Sequence, residues 1–378
     1  MKKTFKFRLF PSKQQRRLLD STLEECRWLY NRTLQERRDV YEQKGISLTN
    51  YHTDALIPLW KATERPSLSS VHSQILQQVG ERVNLAFQAF WRRCKAGQNP
   101  GYPRFKSKNR YDSFTFKQSG FTIVDGAKLQ LSKIGKMKIV MHRLIEGKIK
   151  RLTICRSGTG KWYACFSTEI DAVKKQNTCS NTAIGIDVGI SKFAVFSDGS
   201  EIKNPRFMAS DQKKISKLQR QIAKIPKNSK NSKLRLKKRK ALSFVFEKVV
   251  NKRNDWLHKK SRDVINSFNT ICIEDLDIDN MKQNGWKSIN RSINDVAWRK
   301  FRDLLSYKAE EAGVNLVLVN PKNTTRECSG CGEMVFKPLD QRVHSCPHCG
   351  LEMDRDLNAA INILRRGLSS LAKLAEGQ

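Results

Sequence analysis

The sequence predicts a mixed architecture: an α/β unit in the C-terminal half, preceded by an all-β unit with a helical segment inserted into it. Three observations carry that prediction. Apolar residues recur every three to four positions up to about residue 95 and every second position between 114 and 168, the periods of helix and strand respectively. Beyond residue 182 two apolar runs, 183–190 and 270–276, each hold a carboxylate and are separated by long helical patterns, as in an α/β sheet. Last, two Cys-x-x-Cys knuckles stand 14 residues apart near the C-terminus, which is zinc-ribbon spacing.

Taken in order, Phe5, Phe7 and Leu9 alternate with Lys6 and Arg8, so the chain begins as one strand with a basic outer face. Ser12 and Gln15 form a capping-box pattern that opens a helix carrying Leu18, Leu19, Leu23 and Trp28. A second long helix is expected over 69–94, with Val71, Ile75, Val79, Val83, Phe87 and Phe90 as its apolar stripe. Its other face holds His72, Gln74, Gln77, Gln78 and Arg82, either as a solvated surface or as groups that read base edges in a groove. Pro100, Gly101 and Pro103 end the helical part. Strands are then expected at 114–116, 121–124, 129–131, 136–141, 150–155 and 162–168. With the N-terminal strand they would make a small antiparallel barrel.

Residues 175–181 have linker composition, and the third unit follows: strand 183–190, strand 193–197, a turn at Asp198-Gly199 and a short extension at 201–202. Two basic helical segments span 211–268. Ile215, Leu218, Ile222 and Ile225 stripe the first, and Val245, Val249, Trp256, Val264 and Phe268 the second. The run 230–240, with Arg235, Lys237, Lys238 and Arg239, suits contact with phosphates. A strand ending at Glu274 and Asp275, a helix at 295–313, a strand at 315–320, the cysteine module and a final helix from 354 complete the chain. This divides it into 1–10 (first barrel strand), 11–99 (helical), 100–181 (rest of the barrel), 182–322 (α/β unit), 323–352 (zinc ribbon) and 353–378 (last helix and tail).

The 378 residues include 72 Lys and Arg against 36 Asp and Glu, a net charge of +36. Such an excess attracts a polyanion, for which nucleic acid is the usual candidate. No run of 18 apolar residues exists and the N-terminus lacks an apolar core, so neither a membrane span nor a secretory signal is expected. Cys26, Cys94, Cys155, Cys165, Cys179 and Cys272 lie scattered among apolar neighbours, which reads as small core residues in a reducing cytosol.

Cys328, Cys331, Cys346 and Cys349 can hold one structural zinc. Four thiolates leave no open coordination position, so the chemistry must lie elsewhere. His344 and His348 are not needed as ligands. A carboxylate at the end of an apolar strand is unfavourable unless paired or bound to a cation. Asp187, Glu274 and Asp356 close three separate elements of one α/β unit, whose element order is that of an RNase H-like sheet. Three hard oxygen donors on one rim suit two Mg²⁺ or Mn²⁺ ions for phosphodiester hydrolysis, one activating water and one stabilising the leaving oxygen. Asp354 and Asp356 are about 200° apart on a helix. Asp354 stands at the N-cap position and Asp356 shares a stripe with Ala359, Ala360 and Ile363, so Asp356 is the expected ligand. Asp275 points to the opposite face of its strand.

At these residues the sequence resembles the TnpB (OrfB) family, transposon-encoded relatives of the type V CRISPR effectors. The resemblance runs through Gly101-Tyr-Pro-Arg-Phe-Lys106, Gly185-Ile-Asp-Val-Gly189, Asn204-Pro-Arg-Phe207, Ile273-Glu-Asp-Leu276, the zinc ribbon and Asp354-Arg-Asp-Leu-Asn-Ala-Ala-Ile-Asn-Ile363. It departs from the family's usual Thr-Ser run at Asn320-Pro-Lys-Asn-Thr-Thr-Arg. The resemblance implies a RuvC-like nuclease domain with an inserted zinc ribbon, preceded by a β-barrel (wedge) domain with an inserted helical domain. It implies a cytoplasmic, prokaryotic, RNA-guided, Mg-dependent DNA endonuclease that acts at the nucleoid and cuts double-stranded DNA next to a short flanking motif. Its partners would be a guide RNA from the transposon end, the DNA target and a separately encoded transposase of the same element.

The alternative is a nuclease-inactive RNA-guided DNA-binding repressor on the same scaffold, which would lose the acids this chain keeps. A transposase working through a Tyr nucleophile would need a compact His-rich metal site, and no His-hydrophobic-His pair is present. The polar stretch 284–294 is expected as a lid, with Trp286 as a base-stacking candidate and Trp298 in the core.

Overall fold

A computed structural model describes residues 2–108, 110–126, 128–170, 182–226, 232–283, 286–338 and 341–376. The chain divides into two compact units, 1–171 and 172–378. The expected linker at 175–181 and Cys179 lie outside the described residues.

In the first unit, strand β1 (Lys2–Phe10) buries Phe5, Phe7 and Leu9 and turns its charged residues outward, as alternation requires. Helix α1 (Lys13–Lys44) starts at the expected capping box: Ser12 Oγ accepts from Gln15 N–H (3.2 Å) and Gln15 Oε1 accepts from Ser12 N–H (3.0 Å). Leu19, Leu23, Cys26 and Leu29 are buried, whereas Leu18, expected in the stripe, is exposed. Short helices α2 (Asn50–Ala55) and α3 (Ile57–Thr63) lead to α4 (Ser73–Lys95). That helix begins four residues later than predicted, because Pro66–Ser70 forms a 3₁₀ turn and the His72 side chain caps the new N-terminus. Val71 is still buried, from outside the helix.

Strands β2 (Ser113–Phe116), β3 (Phe121–Val124), β4 (Lys128–Leu131), β5 (Gly135–Val140), β6 (Lys148–Arg156) and β7 (Trp162–Glu169) follow the predicted positions closely. They form an antiparallel sheet in the order β2-β6-β7-β1-β5-β4-β3, with the N-terminal strand at its centre. Among the described residues no ladder joins β2 to β3, so the strands are not closed by hydrogen bonds into the barrel that was expected; Phe116 and Phe121 meet edge-on at 6.1 Å instead. Phe5, Phe7, Phe114, Phe116, Trp162 and Phe166 share one continuous core with the buried faces of α1 and α4.

In the second unit, β8 (Ala183–Val188), β9 (Lys192–Phe196), β10 (Glu201–Lys203), α5 (Gln212–Ala223), α6 (Ser232–Ser267) and β11 (Thr270–Glu274) come first. Next are α7 (Ile278–Gln283), α8 (Lys287–Val296), α9 (Trp298–Ala312), β12 (Asn315–Val319), β13 (Val343–Ser345), β14 (Glu352–Asp354) and α10 (Arg355–Glu376). The main sheet runs β10-β9-β8-β11-β12, antiparallel on the β10 side of β8 and parallel beyond it. This mixed α/β order agrees with the RNase H-like expectation. Its core gathers Ile184, Ile186, Phe193, Ile271, Ile273, Trp298 and Phe301.

Three expectations need correction. The stretch expected as a lid is largely helix α8, which buries Ile293 and Val296 and is tied to α7 where Asn290 Nδ2 donates to Lys282 O (2.8 Å). A left-handed residue, Ala297 (φ 59°), separates α8 from α9 where one helix over 295–313 was predicted. Nor are the scattered cysteines uniformly core residues. Cys26 and Cys272 are buried, Cys155 and Cys165 half-buried, and Cys94 exposed.

Candidate active site and metal centre

The carboxylates are placed by how helix α10 lies on the sheet. Gly185 on β8 lets it approach: a Cβ there would lie 2.1 Å from the Ala360 carbonyl oxygen. Two residues on, hence on the same face of the strand, is Asp187. One turn before Ala360, hence on the same side of the helix, is Asp356. Further along α10, a Cβ on Gly367 would lie 2.2 Å from Cys272 Sγ, so β11 turns Cys272, and with it Glu274, toward this helix. The parallel register pairs Ile273 with Ile186, which puts Glu274 and Asp187 one step further along neighbouring strands.

The electrostatics report the same convergence. Asp187 and Glu274 are 9% and 8% exposed. Burial first, then the charges of Glu274 and Asp356, push the Asp187 carboxyl well above the usual range, with Asp354 adding to the push and Arg355 opposing it. Burial also raises Glu274, against a hydrogen bond from Thr324 and the charge of Arg366. The Thr324 hydroxyl lies 2.5 Å from Glu274 Oε1. Around Asp356, Arg355 Nε stands 3.5 Å and Arg342 Nη1 3.9 Å from the carboxylate.

Asp354 takes the capping role. Its Oδ1 accepts from the N–H groups of Asp356 (2.8 Å) and Leu357 (3.2 Å), and Lys192 lies 3.2 Å from Oδ2. Against the upward pull of burial, these contacts hold its carboxyl below the usual value. Asp275 faces away and pairs with Arg302.

The four knuckle cysteines converge tightly. Their sulfurs all lie within 4.8 Å of one another, with Cys328–Cys349 at 3.7 Å and Cys331–Cys346 at 3.6 Å. A tetrahedron of Zn–S bonds near 2.3 Å has edges of about 3.8 Å, so the donor set is compatible with a zinc site. The two knuckles repeat one geometry. Gly332 N–H donates to Cys328 O and Gly350 N–H to Cys346 O, both at 2.9 Å, and both glycines have positive φ (84° and 73°). Among the described residues this is the one set of three or more His, Cys, Asp or Glu gathered so closely; Asp187, Glu274 and Asp356 are spread more widely. His344 is buried beside Lys337 rather than joined to the sulfurs, and His348 is exposed.

The face of α4 expected to read bases is mostly an internal seam. Arg82 donates to Ser113 O (2.6 Å), to Ser113 Oγ (3.3 Å) and to Thr115 Oγ1 (3.1 Å), binding the helix to β2. Buried Gln78 accepts from Arg82 Nε (2.8 Å). Gln74 Oε1 accepts from the N–H groups of Gln118 and Ser119 (2.9 and 3.0 Å), and His72 caps α4. Only Gln77 of the five is exposed. The reason is physical: beside a sheet, a helix face of amides and one guanidinium satisfies backbone groups that would otherwise lack partners.

On α6, Lys237 and Arg239 are exposed and Lys238 half-exposed, while Arg235 donates to Ile225 O (3.0 Å) and secures the α5 end. Trp286 is 80% exposed and Trp298 is core, as expected. Sequence reading missed Thr324, Asn358 and Asn362, all buried next to the acids or the ribbon. The only available signal was the Asn-x-x-x-Asn spacing of Asn358 and Asn362 in the Asp-Leu-Asn-Ala-Ala-Ile-Asn run.

Three family models match the chain: "Helix-turn-helix domain" (HTH_OrfB_IS605) over 1–45, "Probable transposase" (OrfB_IS605) over 165–285, and "Cas12f1-like, TNB domain" over 298–363. The first covers strand β1 and the single helix α1, not a helix pair. A Streptomyces pristinaespiralis protein named "Putative RNA-guided DNA endonuclease" is 33% identical over 381 residues, covering 98% of this chain and 91% of its own. The "Putative RNA-guided DNA endonuclease InsQ" of Escherichia coli (strain K12) is 30% identical over 383 residues, 97% of this chain and 93% of its own. A solved Cas12f1 in complex with sgRNA and target DNA superposes over 96% of this chain and 98% of that chain, with TM-score 0.59 at 13% identity, a likeness of fold. On its near full-length identity to these relatives and the matching OrfB models, the chain belongs to the TnpB (OrfB) family.

Proposed function

We propose that this protein is an RNA-guided, magnesium-dependent DNA endonuclease carried by a transposon, cutting double-stranded DNA beside a short flanking motif. The observation that carries the reading is the electrostatic coupling of Asp187 to Glu274 and Asp356, three acids on the side of the sheet covered by α10. Buried like charges without a counter-ion are costly, and a cation-binding role explains why such a cluster exists. Asp187, Glu274 and Asp356 would hold two Mg²⁺ or Mn²⁺ ions; carboxylates that share two ions need not crowd together as four thiolates do around one. When bound, such ions supply water activation and stabilisation of the leaving oxygen in phosphodiester cleavage.

The chain's own residues do the rest. Asp354 caps α10 and so fixes where Asp356 projects. The ribbon, closed by one structural zinc, delivers β14 directly into that helix. Lys237, Lys238 and Arg239 offer charge to phosphates, and Trp286 offers an exposed ring to an unpaired base. The relatives named as RNA-guided DNA endonucleases support an RNA guide and a DNA target as partners; in this reading the guide comes from the transposon end and a separately encoded transposase acts on the same element. Base pairing would then read the sequence while the protein reads backbone and flanking motif.

The test is incubation with guide RNA, target plasmid and Mg²⁺. Linear product from the wild type and none from Asp187→Ala, with RNA binding retained, is the expected result. Tight target binding without cleavage by the wild type would overturn it in favour of a repressor.

A further inference from the structure

Glu274 is held by a side chain that no strand or helix of the sheet provides. After β12 the chain makes a turn in which Thr324, 1% exposed, brings its hydroxyl 2.5 Å from Glu274 Oε1 and 3.1 Å from Pro321 O. One hydroxyl proton cannot serve both acceptors, and the closer, charged oxygen takes it. The Glu274 carboxylate has no other hydrogen-bond partner among the described residues.

The turn itself hangs from α10. Asn358, Asn362 and Arg366 lie four residues apart on one stripe of that helix. Asn362 Nδ2 donates to Thr324 O (3.0 Å) and Glu327 O (2.7 Å), and Asn358 Nδ2 also donates to Glu327 O (2.8 Å). Arg366 donates to Lys322 O (2.7 Å) and to Glu327 Oε2 (2.5 Å). Asn358 Oδ1 in turn accepts from Ser329 N–H (2.9 Å), beside the first zinc-ligand candidate Cys328. Both asparagines are fully buried. The helix that carries Asp356 in its first turn therefore also fixes the group that orients Glu274.

Resting on the nuclease reading above, we propose that Thr324 is a positioning residue: its hydroxyl fixes one oxygen of Glu274 so that the other is presented to a divalent cation, in a turn keyed to α10 through Asn362. Groups that orient a metal-binding carboxylate change metal affinity by about 10–100-fold when removed.

The test reads Mn²⁺ binding by electron paramagnetic resonance on the full, zinc-loaded chain, with no nucleic acid and no turnover. Thr324→Val removes the hydroxyl at nearly constant volume. It is expected to weaken Mn²⁺ binding about 10–100-fold while zinc content stays at one per chain, and Thr324→Ser is expected to restore the affinity. Should the valine variant lose zinc or fail to fold, Thr324→Ala makes the same comparison without the branched methyl group. Unchanged Mn²⁺ affinity in the folded, hydroxyl-less variant, even with a lowered thermal midpoint, would show a merely structural hydroxyl and overturn the proposal. If the wild type and Glu274→Gln bind Mn²⁺ alike, the nuclease reading falls instead, and the two failures are thereby told apart.

Discussion

At the scale of single residues, Asp187 is a costly group to keep charged. Burial, then Glu274 and Asp356, raise its carboxyl well above the value it has in an unfolded chain. The folded protein therefore binds this proton more tightly than the unfolded one. Below the unfolded value both states are protonated and the group is neutral to stability. As pH climbs through the unfolded and then the folded value, stability is lost, because the native state must take on a buried charge. Metal-free protein should thus lose stability from acidic toward neutral pH, and Asp187→Asn should flatten that fall. In calorimetry without divalent ions at neutral pH, the variant is expected to melt higher than the wild type by about 2–4 °C for each kcal/mol relieved. Added Mg²⁺ should reverse the order by stabilising only the wild type. A variant that melts lower than the wild type in the absence of metal would mean that Asp187 is stabilised by partners other than a cation. The choice between Asp354 and Asp356 was open to sequence reasoning because it rests on helix geometry alone: two residues apart, one caps and the other projects.

Among the elements, α10 does the assembling, and its seat on β8 depends on Gly185. The glycine is needed for closeness, since a Cβ would meet a backbone carbonyl oxygen at 2.1 Å and backbone cannot move aside as a side chain can. Gly185→Ala should cost about 3 kcal/mol, the upper end for overpacking, and should weaken cleavage as α10 lifts Asp356 away from Asp187. Gly199→Ala makes the control: it needs positive φ (85°) but meets nothing within 4 Å, so it should cost about 1 kcal/mol and leave cleavage intact. Equal losses at both positions, measured by denaturation and plasmid cutting, would refute the close-seat argument. The strands were legible because one buried face imposes a period of two, and six strands of the seven-stranded sheet fell within a few residues of expectation. The break at Ala297 was not legible. A non-glycine residue in the left-handed region carries no local signature, and it is held there because Ile293, Val296 and Trp298 must all reach one core. Thr324 was equally hidden, since its partner Glu274 lies 50 residues away in sequence and a threonine in a polar turn ordinarily bonds its own backbone.

For the molecule as a whole, the charge of +36 was the plainest message of the sequence, yet charge alone does not say which cations face a polyanion and which hold the fold. Arg82 and Arg235 illustrate the second kind: each donates to main-chain carbonyls within its own unit. Lys237, Lys238 and Arg239 are the proposed case of the first, on a 36-residue helix whose start is largely solvent-exposed. Their contributions should separate by salt. Each phosphate neutralised by a lysine or arginine adds about 0.7 to the slope of log affinity against log salt for single strands. Replacing Lys237, Lys238 and Arg239 together with alanine should therefore reduce that slope for guide RNA by about 2 and leave the thermal midpoint unchanged. Arg82→Ala should do the converse, lowering the midpoint through the lost hydrogen bonds to Ser113 and Thr115 while leaving the slope as it was. If Arg82→Ala reduces the slope and folds normally, then α4 does present its charge to nucleic acid, and its seam with β2 is not the reason that arginine is there.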